Sequence, residues 1–225
     1  IKNIIENIQN LNRSYNILIV DDFSTDDTYK ISSKISPTIR HAKNLGIGGA
    51  VQTGIKYAKN NGYDFCIQID GDGQHIVSEI EKLIIVQREK SSSVTIGSRY
   101  INNDSFTSTF YRRLGSKLIS FTLFLFYNKQ RITDPTSGMR LLDKKAITLF
   151  SDNYPSDFPE PISLAIAIKN KLKISEAPVH MREREFGKSS INGFNTIKYM
   201  IKVLVYILIL RFFLWTMVIF SDVRN

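Results

Sequence analysis

Cysteine is nearly missing from this sequence: Cys66 is the only one in 225 residues. An internal disulfide is therefore impossible, which excludes the small secreted folds that depend on several such bridges. The sequence also lacks zinc-ligand spacing, internal repeats, the G-x-x-x-x-G-K-[ST] loop of P-loop proteins and a regular G-x-G-x-x-G segment. With 43% hydrophobic residues, the chain is typical of a globular domain with its own core.

Acidic residues are the minority charge, with 21 Asp and Glu against 30 Lys and Arg, and the net charge is +9. Many basic residues stand beside apolar helical runs in the second half, as in RRLGSK and IKYMIK. This pattern favours contact with membrane lipids at an anionic surface. Binding to nucleic acid is not expected, because there is no basic region with heptads and no RNP-type motif.

The first hundred residues alternate between short apolar runs and amphipathic segments. The runs at 16–20, 64–69 and 93–97 are typical of buried strands, and segments with helical periodicity separate them. This order predicts βαβ units, and hence an α/β fold with a mostly parallel sheet flanked by helices. Ligands of such sheets bind at the carboxyl ends of the strands.

The second half contains two longer apolar segments, within 108–127 and at 203–220. The first predicts a helix that is either buried or lies in a membrane interface. The second has one charge, Arg211, in 18 residues, which is close to the length of a membrane span. A span, a deep interfacial helix and a helix packed on a membrane partner all fit this segment.

The stretch CIQIDGDGQH places Asp70 and Asp72 directly after a predicted buried strand. Two carboxylates in that position repel each other, and a divalent cation removes the conflict. Oxygen ligands suit Mg²⁺ and Mn²⁺, so we predict a metal site here, to which Gln74 could add a ligand. His75 is compatible with a capping or a packing role as well as with a place beside the metal.

A second acidic pair, Asp21 and Asp22 in VDDFSTDDT, follows the first predicted strand. Carboxyl ends of parallel strands meet at one edge of a sheet, so these side chains should stand near Asp70 and Asp72. Carboxylates there can accept hydrogen bonds from a nucleobase or a ribose. The glycine-rich NLGIGGA, which includes Gly48, predicts a helix start that a ligand can approach closely.

Six segments, VDDFSTDDT, NLGIGGAVQTG, DGDGQH, GSRY, DPTSGMR and REREFGKSS, resemble those of family 2 glycosyltransferases with a GT-A fold, in order and rough spacing. The branch they resemble most is that of the polyprenyl-phosphate sugar transferases related to dolichyl-phosphate mannose synthase. The resemblance implies a catalytic domain over 1–190 and a membrane-associated helical tail over 191–225. It also implies a strand with a nucleotide-binding segment before Ile1, without which the sheet lacks a central strand.

On the donor side, the resemblance implies a nucleotide-sugar site and a Mg²⁺ or Mn²⁺ site on the diphosphate. The implied nucleotide-sugar residues are Asp21, Asp22, Gly48, Asp70, Asp72, Arg184, Gly187 and Ser189. The implied metal ligands are Asp70, Asp72 and Gln74. Arg184 begins an R-x-x-G-x-S loop that closes over the diphosphate, and it is implied as a catalytic residue together with Asp72.

On the acceptor side, the resemblance implies that Arg99, Arg112 and Ser116 bind the phosphate of a lipid. Asp134, in DPTSG, falls where the family has an acceptor-side acid, and it completes the implied catalytic set. A lipid phosphate is already an anion at neutral pH, so basic residues that hold it matter more than a general base.

The resulting hypothesis is a metal-dependent, inverting transfer of a hexose from a UDP- or GDP-sugar to a polyprenyl phosphate at the cytoplasmic face of the cell membrane. A homo-oligomer or a small membrane partner subunit is compatible with it. One alternative is extension of a polysaccharide or lipid-linked glycan, which requires Asp134 as a base. Another is a catalytically silent membrane scaffold, against which the intact acidic and R-x-x-G-x-S motifs argue.

Overall fold

The computed structural model describes residues 1–12, 14–101, 110–127, 131–182 and 199–212, with the backbone alone at 110–112. Its helices are α1 (Lys2–Leu11), α2 (Thr28–Ser32), α3 (Gly46–Asn60), α4 (Ile80–Lys90), α5 (Phe110–Phe126), α6 (Lys144–Asn153) and α7 (Pro159–Lys169). Its strands are β1 (Ile19–Asp21), β2 (Thr38–Arg40), β3 (Phe65–Gln68), β4 (Val94–Ser98), β5 (Arg140–Asp143) and β6 (Ile174–Pro178). A 3₁₀ turn, Val77–Glu79, precedes α4, and residues 199–212 are helical and are called α8 below.

These strands form two sheets. β1 and β2 pair in parallel, and the other four follow the order β3-β5-β4-β6. β4 and β6 are parallel, whereas β5 runs antiparallel to both of its neighbours. The α/β class is confirmed, but the larger sheet is mixed rather than mostly parallel. The reversal arises because the chain re-enters the sheet from the opposite end after the 133–138 turn, which hydrophobic periodicity does not reveal.

The core lies on both faces of the four-stranded sheet. One buried cluster joins Ile96 and Leu142 to helices α3, α5, α6 and α7, and the other joins Leu83 and Leu141 to partly buried residues of α1. Leu141 and Leu142 are adjacent in β5 yet belong to different clusters, because successive side chains of a strand point to opposite faces. Both faces of the sheet are therefore covered, which leaves the strand ends as the place where a ligand can bind.

Strands β1 and β3 each have a paired neighbour on one side only among the described strands, β2 and β5 respectively. Two clefts of about 800 and 820 Å³ lie beside them. Leu18, Val20, Ile67 and Ile69 line both clefts, so apolar side chains of β1 and β3 face the space between the two sheets. Helix α3 contacts both strands and connects the two sheets.

The apolar segments of the second half are helical. The helix expected within 108–127 is α5, and Ile119 and Leu123 on one of its faces are buried. The segment expected at 203–220 is described only as far as residue 212, where it belongs to α8. Among the residues that the structure describes, no helix has the length and hydropathy needed to cross a membrane.

Candidate active site

The DGDGQH segment forms a tight turn directly after β3. The Oδ1 atom of Asp72 accepts a hydrogen bond of 3.0 Å from the backbone N–H of Gln74. Gly73, between them, has a φ of 81°, which lies in the left-handed region that favours glycine. The three predicted metal ligands, Asp70, Asp72 and Gln74, therefore lie on one short turn.

His75 fixes the conformation of this turn. Its Nδ1 atom accepts a 3.0 Å hydrogen bond from the backbone N–H of Asp70, so Nε2 carries the ring proton. Nε2 lies 3.7 Å from Oδ2 of Asp70. Burial lowers the pKa of His75, although the carboxylates of Asp70 and Asp72 act in the opposite direction. The buried ring therefore has the packing role that the sequence left open, and it also satisfies a backbone N–H group of the turn.

The DPTSG turn approaches the same carboxylate from the other side. A Cβ atom placed on Gly138 would lie 2.8 Å from Oδ2 and 3.1 Å from Oδ1 of Asp70. Real Cβ atoms do not approach other atoms so closely, so a side chain at Gly138 would displace the carboxylate. The predicted acceptor-side motif and the predicted metal turn are therefore in direct contact.

Arg99 and Asp134 form a buried two-pronged ion pair. Nε of Arg99 donates to Oδ2 of Asp134 at 2.6 Å, and Nη2 donates to Oδ1 at 2.7 Å. The Asp134 carboxylate is fully buried and also accepts from the Thr136 hydroxyl. Burial alone would lower the pKa of Arg99, but Asp134 raises it above its usual value. The sequence motifs implied separate roles for these two residues, and the structure joins them.

Two charged residues to which the sequence motifs assign no role hold this turn in place. Glu176 accepts hydrogen bonds from the backbone N–H groups of Thr133 and Asp134, at 2.8 to 3.0 Å. Arg140 is buried and donates to the backbone carbonyls of Ser137 at 3.0 Å and Pro135 at 3.4 Å, both in the turn. The signal that could have found both is a charged residue inside an otherwise apolar strand, in MRLL and ISEAP.

Asp22 is held by His41, a residue that belongs to none of the sequence motifs. The Nδ1 atom of His41 lies 2.7 Å from Oδ1 of Asp22, which also accepts from the backbone N–H of Leu45 at 2.8 Å. Burial opposes ionisation of Asp22, but these hydrogen bonds lower its pKa below the usual value. Asp22, Asp70 and Asp72 line the same cleft of about 800 Å³, as their positions at strand ends predicted.

Asp21 and Gly48 both lie close to other parts of the fold. Asp21 is buried, and its Oδ2 lies 3.3 Å from Nε of Arg40. A Cβ atom on Gly48 would lie 2.3 Å from the carbonyl oxygen of Pro155. The absence of a side chain at Gly48 is therefore required for α3 to pack against the segment after α6. A role for either residue at a nucleotide sugar stays a prediction.

The remaining acceptor residues are on α5. Ser116 is buried, and its hydroxyl makes no hydrogen bond with other described residues. One turn further along, the Ser120 hydroxyl donates to the carbonyl of Ile132, so α5 packs against the segment that leads into the DPTSG turn. The side chain of Arg112 lies outside the described part of the chain.

Arg184, Gly187 and Ser189 also lie outside the described residues, but the entry to their loop is described. Met181 forms an isolated antiparallel bridge with His75. The backbone N–H of Arg182 donates to the carbonyl of Gln74 at 2.9 Å. The chain therefore enters the R-x-x-G-x-S segment beside the DGDGQH turn.

The donor atoms of the DGDGQH turn fit a hard divalent cation. In the described ranges, no group of three or more His, Cys, Asp or Glu side chains is gathered as a metal centre. The predicted set is of another kind, with two carboxylates and an amide oxygen on one turn. Mg²⁺ and Mn²⁺ are bound in this way by few protein oxygens, and they complete their coordination with water and substrate phosphate.

Comparison with known proteins agrees with the fold and identifies the family. The family model described as Glycosyl transferase family 2 matches residues 1–150. A UDP-N-acetylglucosamine–dolichyl-phosphate N-acetylglucosaminyltransferase of Methanococcus voltae is 36% identical over 200 residues, covering 80% of this chain and 79% of the relative. A dolichol-phosphate mannosyltransferase of Pyrococcus furiosus is 33% identical over 201 residues, covering 86% of this chain and 54% of the relative.

Solved structures show the same architecture. Glucosyl-3-phosphoglycerate synthase of Mycobacterium tuberculosis, in complex with phosphoglyceric acid, has a TM-score of 0.65 at 15% identity over 94% of this chain and 74% of that one. The same enzyme with Mn²⁺, uridine diphosphate and glucosyl-3-phosphoglycerate has a TM-score of 0.62 at 14% identity, with the same coverage of 94% and 74%. These likenesses confirm the GT-A-like fold. With the family match and the dolichyl-phosphate transferases among its relatives, they show that the chain is a glycosyltransferase belonging to family 2.

Proposed function

We propose that this glycosyltransferase moves a hexose from a UDP- or GDP-sugar to a polyprenyl phosphate. The observation that carries the proposal is the contact between two motifs: the DGDGQH turn, with Asp70 and Asp72 at the cleft, touches the DPTSG turn at Gly138. Donor and acceptor groups would therefore meet at the Asp70 carboxylate. The relatives named as dolichyl-phosphate sugar transferases support the same acceptor class.

On the donor side, Asp70, Asp72 and Gln74 would hold Mg²⁺ or Mn²⁺. When bound, the ion neutralises charge on the diphosphate leaving group. The chain's own residues would position the donor. His75 accepts the backbone N–H of Asp70 and so holds the turn beside the cleft. His41 contacts Oδ1 of Asp22, whose carboxylate would accept a hydrogen bond from a nucleoside hydroxyl. Arg184 would add positive charge at the diphosphate from a loop that starts beside Gln74.

On the acceptor side, we assign Asp134 to positioning. Its two oxygens receive the hydrogen bonds of Arg99, so the carboxylate orients the guanidinium toward an anionic acceptor. In the proposed reaction, a phosphate oxygen of the acceptor attacks the anomeric carbon while the bond to the diphosphate breaks. The nucleoside diphosphate leaves with the electron pair, and configuration at the anomeric carbon inverts. No proton needs to move, so no general base is required.

We further propose that another strand fits between β1 and β3. Both strands present an unpaired edge among the described residues, and apolar side chains line the space beside them. The side-chain nitrogen of Gln68, in β3, is buried there without a hydrogen-bond partner in the described part of the chain. A strand that precedes Ile1 would satisfy these edges and complete a catalytic domain over 1–190, with 191–225 as a tail on the cytoplasmic face of the membrane.

The reaction is tested by incubating the protein with labelled nucleotide sugar, Mn²⁺ and polyprenyl phosphate in detergent. Label should pass into the organic phase, and chelation of the metal should prevent this. Separate reactions with UDP- and GDP-sugars identify the donor. Label that appears only in water-soluble glycan would overturn the lipid acceptor and favour the polysaccharide alternative.

A further inference from the structure

His41 is a buried histidine with a partner at each ring nitrogen. Its side chain is 8% exposed. Nδ1 lies 2.7 Å from Oδ1 of Asp22, and Nε2 lies 2.8 Å from Oγ1 of Thr53, on α3. A histidine ring carries one proton when neutral and two when charged, and its hydrogen-bond partners indicate which nitrogens hold them. The partners of this ring therefore indicate its charge.

The contact with Asp22 requires a proton on Nδ1. Oδ1 of Asp22 also accepts a hydrogen bond of 2.8 Å from the backbone N–H of Leu45. Burial opposes ionisation of Asp22, but the hydrogen bonds that its carboxylate accepts keep its pKa below the usual value. An ionised carboxylate can only accept hydrogen bonds. Nδ1 of His41 is consequently the donor in this contact.

The contact with Thr53 indicates a second proton, on Nε2. The Thr53 hydroxyl donates to the carbonyl of Gly49, four residues earlier in α3, at 3.0 Å. A hydroxyl has one proton to donate, so its oxygen is left as the acceptor for an N–H group of the ring. With both nitrogens protonated, the ring is an imidazolium. In the competing arrangement the hydroxyl donates to Nε2 instead of Gly49, and the ring is neutral.

The balance of charge favours the imidazolium. Strands β1 and β2 pair with Asp21 opposite Arg40, and Nε of Arg40 lies 3.3 Å from Oδ2 of Asp21. One residue further along both strands, Asp22 contacts His41. A cationic ring makes this second acid–base pair neutral as a whole. A neutral ring would leave a carboxylate that is only 19% exposed without a counter-charge.

The nearby lysines do not supply that counter-charge. Lys43, in the loop after β2, is exposed. Lys56 and Lys59, further along α3, lie near Asp152 of α6. Within the ranges that the structure describes, the histidine is therefore the basic residue that contacts Asp22.

We infer that His41 is a positioning residue that acts as an imidazolium, and that its second proton strengthens binding of the nucleotide sugar. This deepens the proposed function and rests on it, because Asp22 is the residue proposed to receive a nucleoside hydroxyl. Asp22 lines the cleft together with Asp70 and Asp72. A donor brings a diphosphate to that cleft, and a carboxylate without a counter-charge repels it. Donor binding should therefore weaken as the pH rises and the ring loses its proton.

The charge of the ring is tested by NMR of the histidine ring nitrogens, in the protein without nucleotide. The chain has 3 histidines, and the signals that disappear in His41→Gln are those of His41. At neutral pH its two nitrogens should have the similar shifts of an imidazolium. Two widely separated shifts, as in a neutral ring, would overturn the inference whether or not nucleotide binds.

The direction of the hydrogen bond at Nε2 is tested with Thr53→Val, which removes the hydroxyl and keeps the shape of the side chain. Calorimetry with UDP or GDP and Mn²⁺ measures affinity across a range of pH. If the ring donates to Thr53, the loss of this acceptor should move the pH midpoint of weakening to lower pH. A shift to higher pH, expected if the hydroxyl donates to the ring, would overturn the inference, and so would no shift.

The matched control is Thr148→Val on α6. It removes a hydroxyl that donates in the same way to the carbonyl four residues earlier, that of Lys144, but has no histidine beside it. Its pH profile should be that of the wild type. Melting temperatures verify that all variants are folded.

The effect on the reaction is tested with His41→Gln. At neutral pH, affinity for UDP or GDP should fall about tenfold, because a neutral hydrogen bond replaces a charge-assisted one. KM for the nucleotide sugar should rise by the same factor while kcat changes little. Unchanged affinity would overturn the role in donor binding. The predicted pH dependence without transfer of label to lipid would support the inference and overturn the proposed acceptor alone.

Discussion

The two turns that meet at Gly138 are built in opposite ways. In the DPTSG turn, Asp134 is completely buried and its oxygens receive hydrogen bonds from Arg99 and Thr136. In the DGDGQH turn, the Asp70 side chain is 36% exposed, and the nearby ring of His75 is neutral. In the DPTSG turn, the charge of Asp134 is balanced by Arg99 within the fold. In the DGDGQH turn, the charge of Asp70 is exposed at a cleft. Stability should therefore depend on the acceptor-side turn, and activity should depend most directly on the donor-side turn.

The largest expected effect on stability comes from Asp134→Ala. The substitution leaves the buried guanidinium of Arg99 without its counter-charge, which should lower the free energy of unfolding by about 3 to 5 kcal/mol. Urea denaturation measures this change. Asp152→Ala, which removes the exposed partner of Lys59, is the matched control and should leave the denaturation curve unchanged. If both variants shifted the denaturation curve equally, the buried and the exposed ion pair would contribute equally to stability.

The reverse pattern is expected for Asp72→Asn. The melting temperature should change little, while transfer of sugar should fall roughly 10²- to 10³-fold, because charge stabilisation at the leaving group is lost. Asp64→Asn, an exposed residue that pairs with Lys144, serves as the control. A loss of activity explained by unfolding would mean that this turn, too, is needed mainly for stability.

A smaller effect is expected where the two turns touch. Gly138→Ala should displace the Asp70 carboxylate and reduce activity about tenfold, since errors of about 1 Å in a positioned group have effects of this order or greater. Unfolding should change less, because the obstructing atom is the end of a side chain. Gly54→Ala, whose new Cβ would be 3.8 Å from its nearest neighbour, should retain full activity. Similar activities in both variants would show that Asp70 tolerates the displacement.

The smallest effect concerns Cys66, which lines the cleft beside β3. Burial raises the pKa of its thiol to about 11. Because the thiolate is the reactive form, the rate of alkylation should rise about tenfold per pH unit and continue to rise beyond pH 9. The urea-unfolded chain provides the control, and its rate should level off near the ordinary pKa. A plateau near pH 9 in the folded protein would contradict the burial of this thiol.

The donor-side turn could be predicted from the sequence because the residues that form it are close together in the chain. Asp70 and Asp72 directly follow an apolar run, and Asp22 follows another, so a βαβ pattern was enough to place them at one cleft. The acceptor-side turn depends on contacts between distant residues. Arg99 and Asp134 are 35 residues apart, and Glu176 comes from the last described strand. Their pairing, like the reversed direction of β5, depends on tertiary packing that periodicity does not encode.

The position of a residue could also be predicted from the sequence more easily than the contacts that it makes. The motif containing His75 was recognised, but the direction of its hydrogen bond with Asp70 emerged only from the folded turn. His41 belongs to no motif, and its contact with Asp22 joins residues 19 positions apart. The sequence shows α5 and α8 as apolar runs. Which of their residues face the core and which face outward depends on how both helices pack.

The bridge between His75 and Met181 has a kinetic consequence. Two residues of chain span at most about 7 Å, so Arg184 remains within that reach of Arg182 in any conformation of the loop. Arg182 is hydrogen-bonded to Gln74. If Arg184 acts at the diphosphate, as proposed, its guanidinium would therefore have only a small volume to search. Binding of the donor by this residue would then be a local rearrangement of a few residues, and we would expect it to be fast compared with the release of a long-chain lipid product.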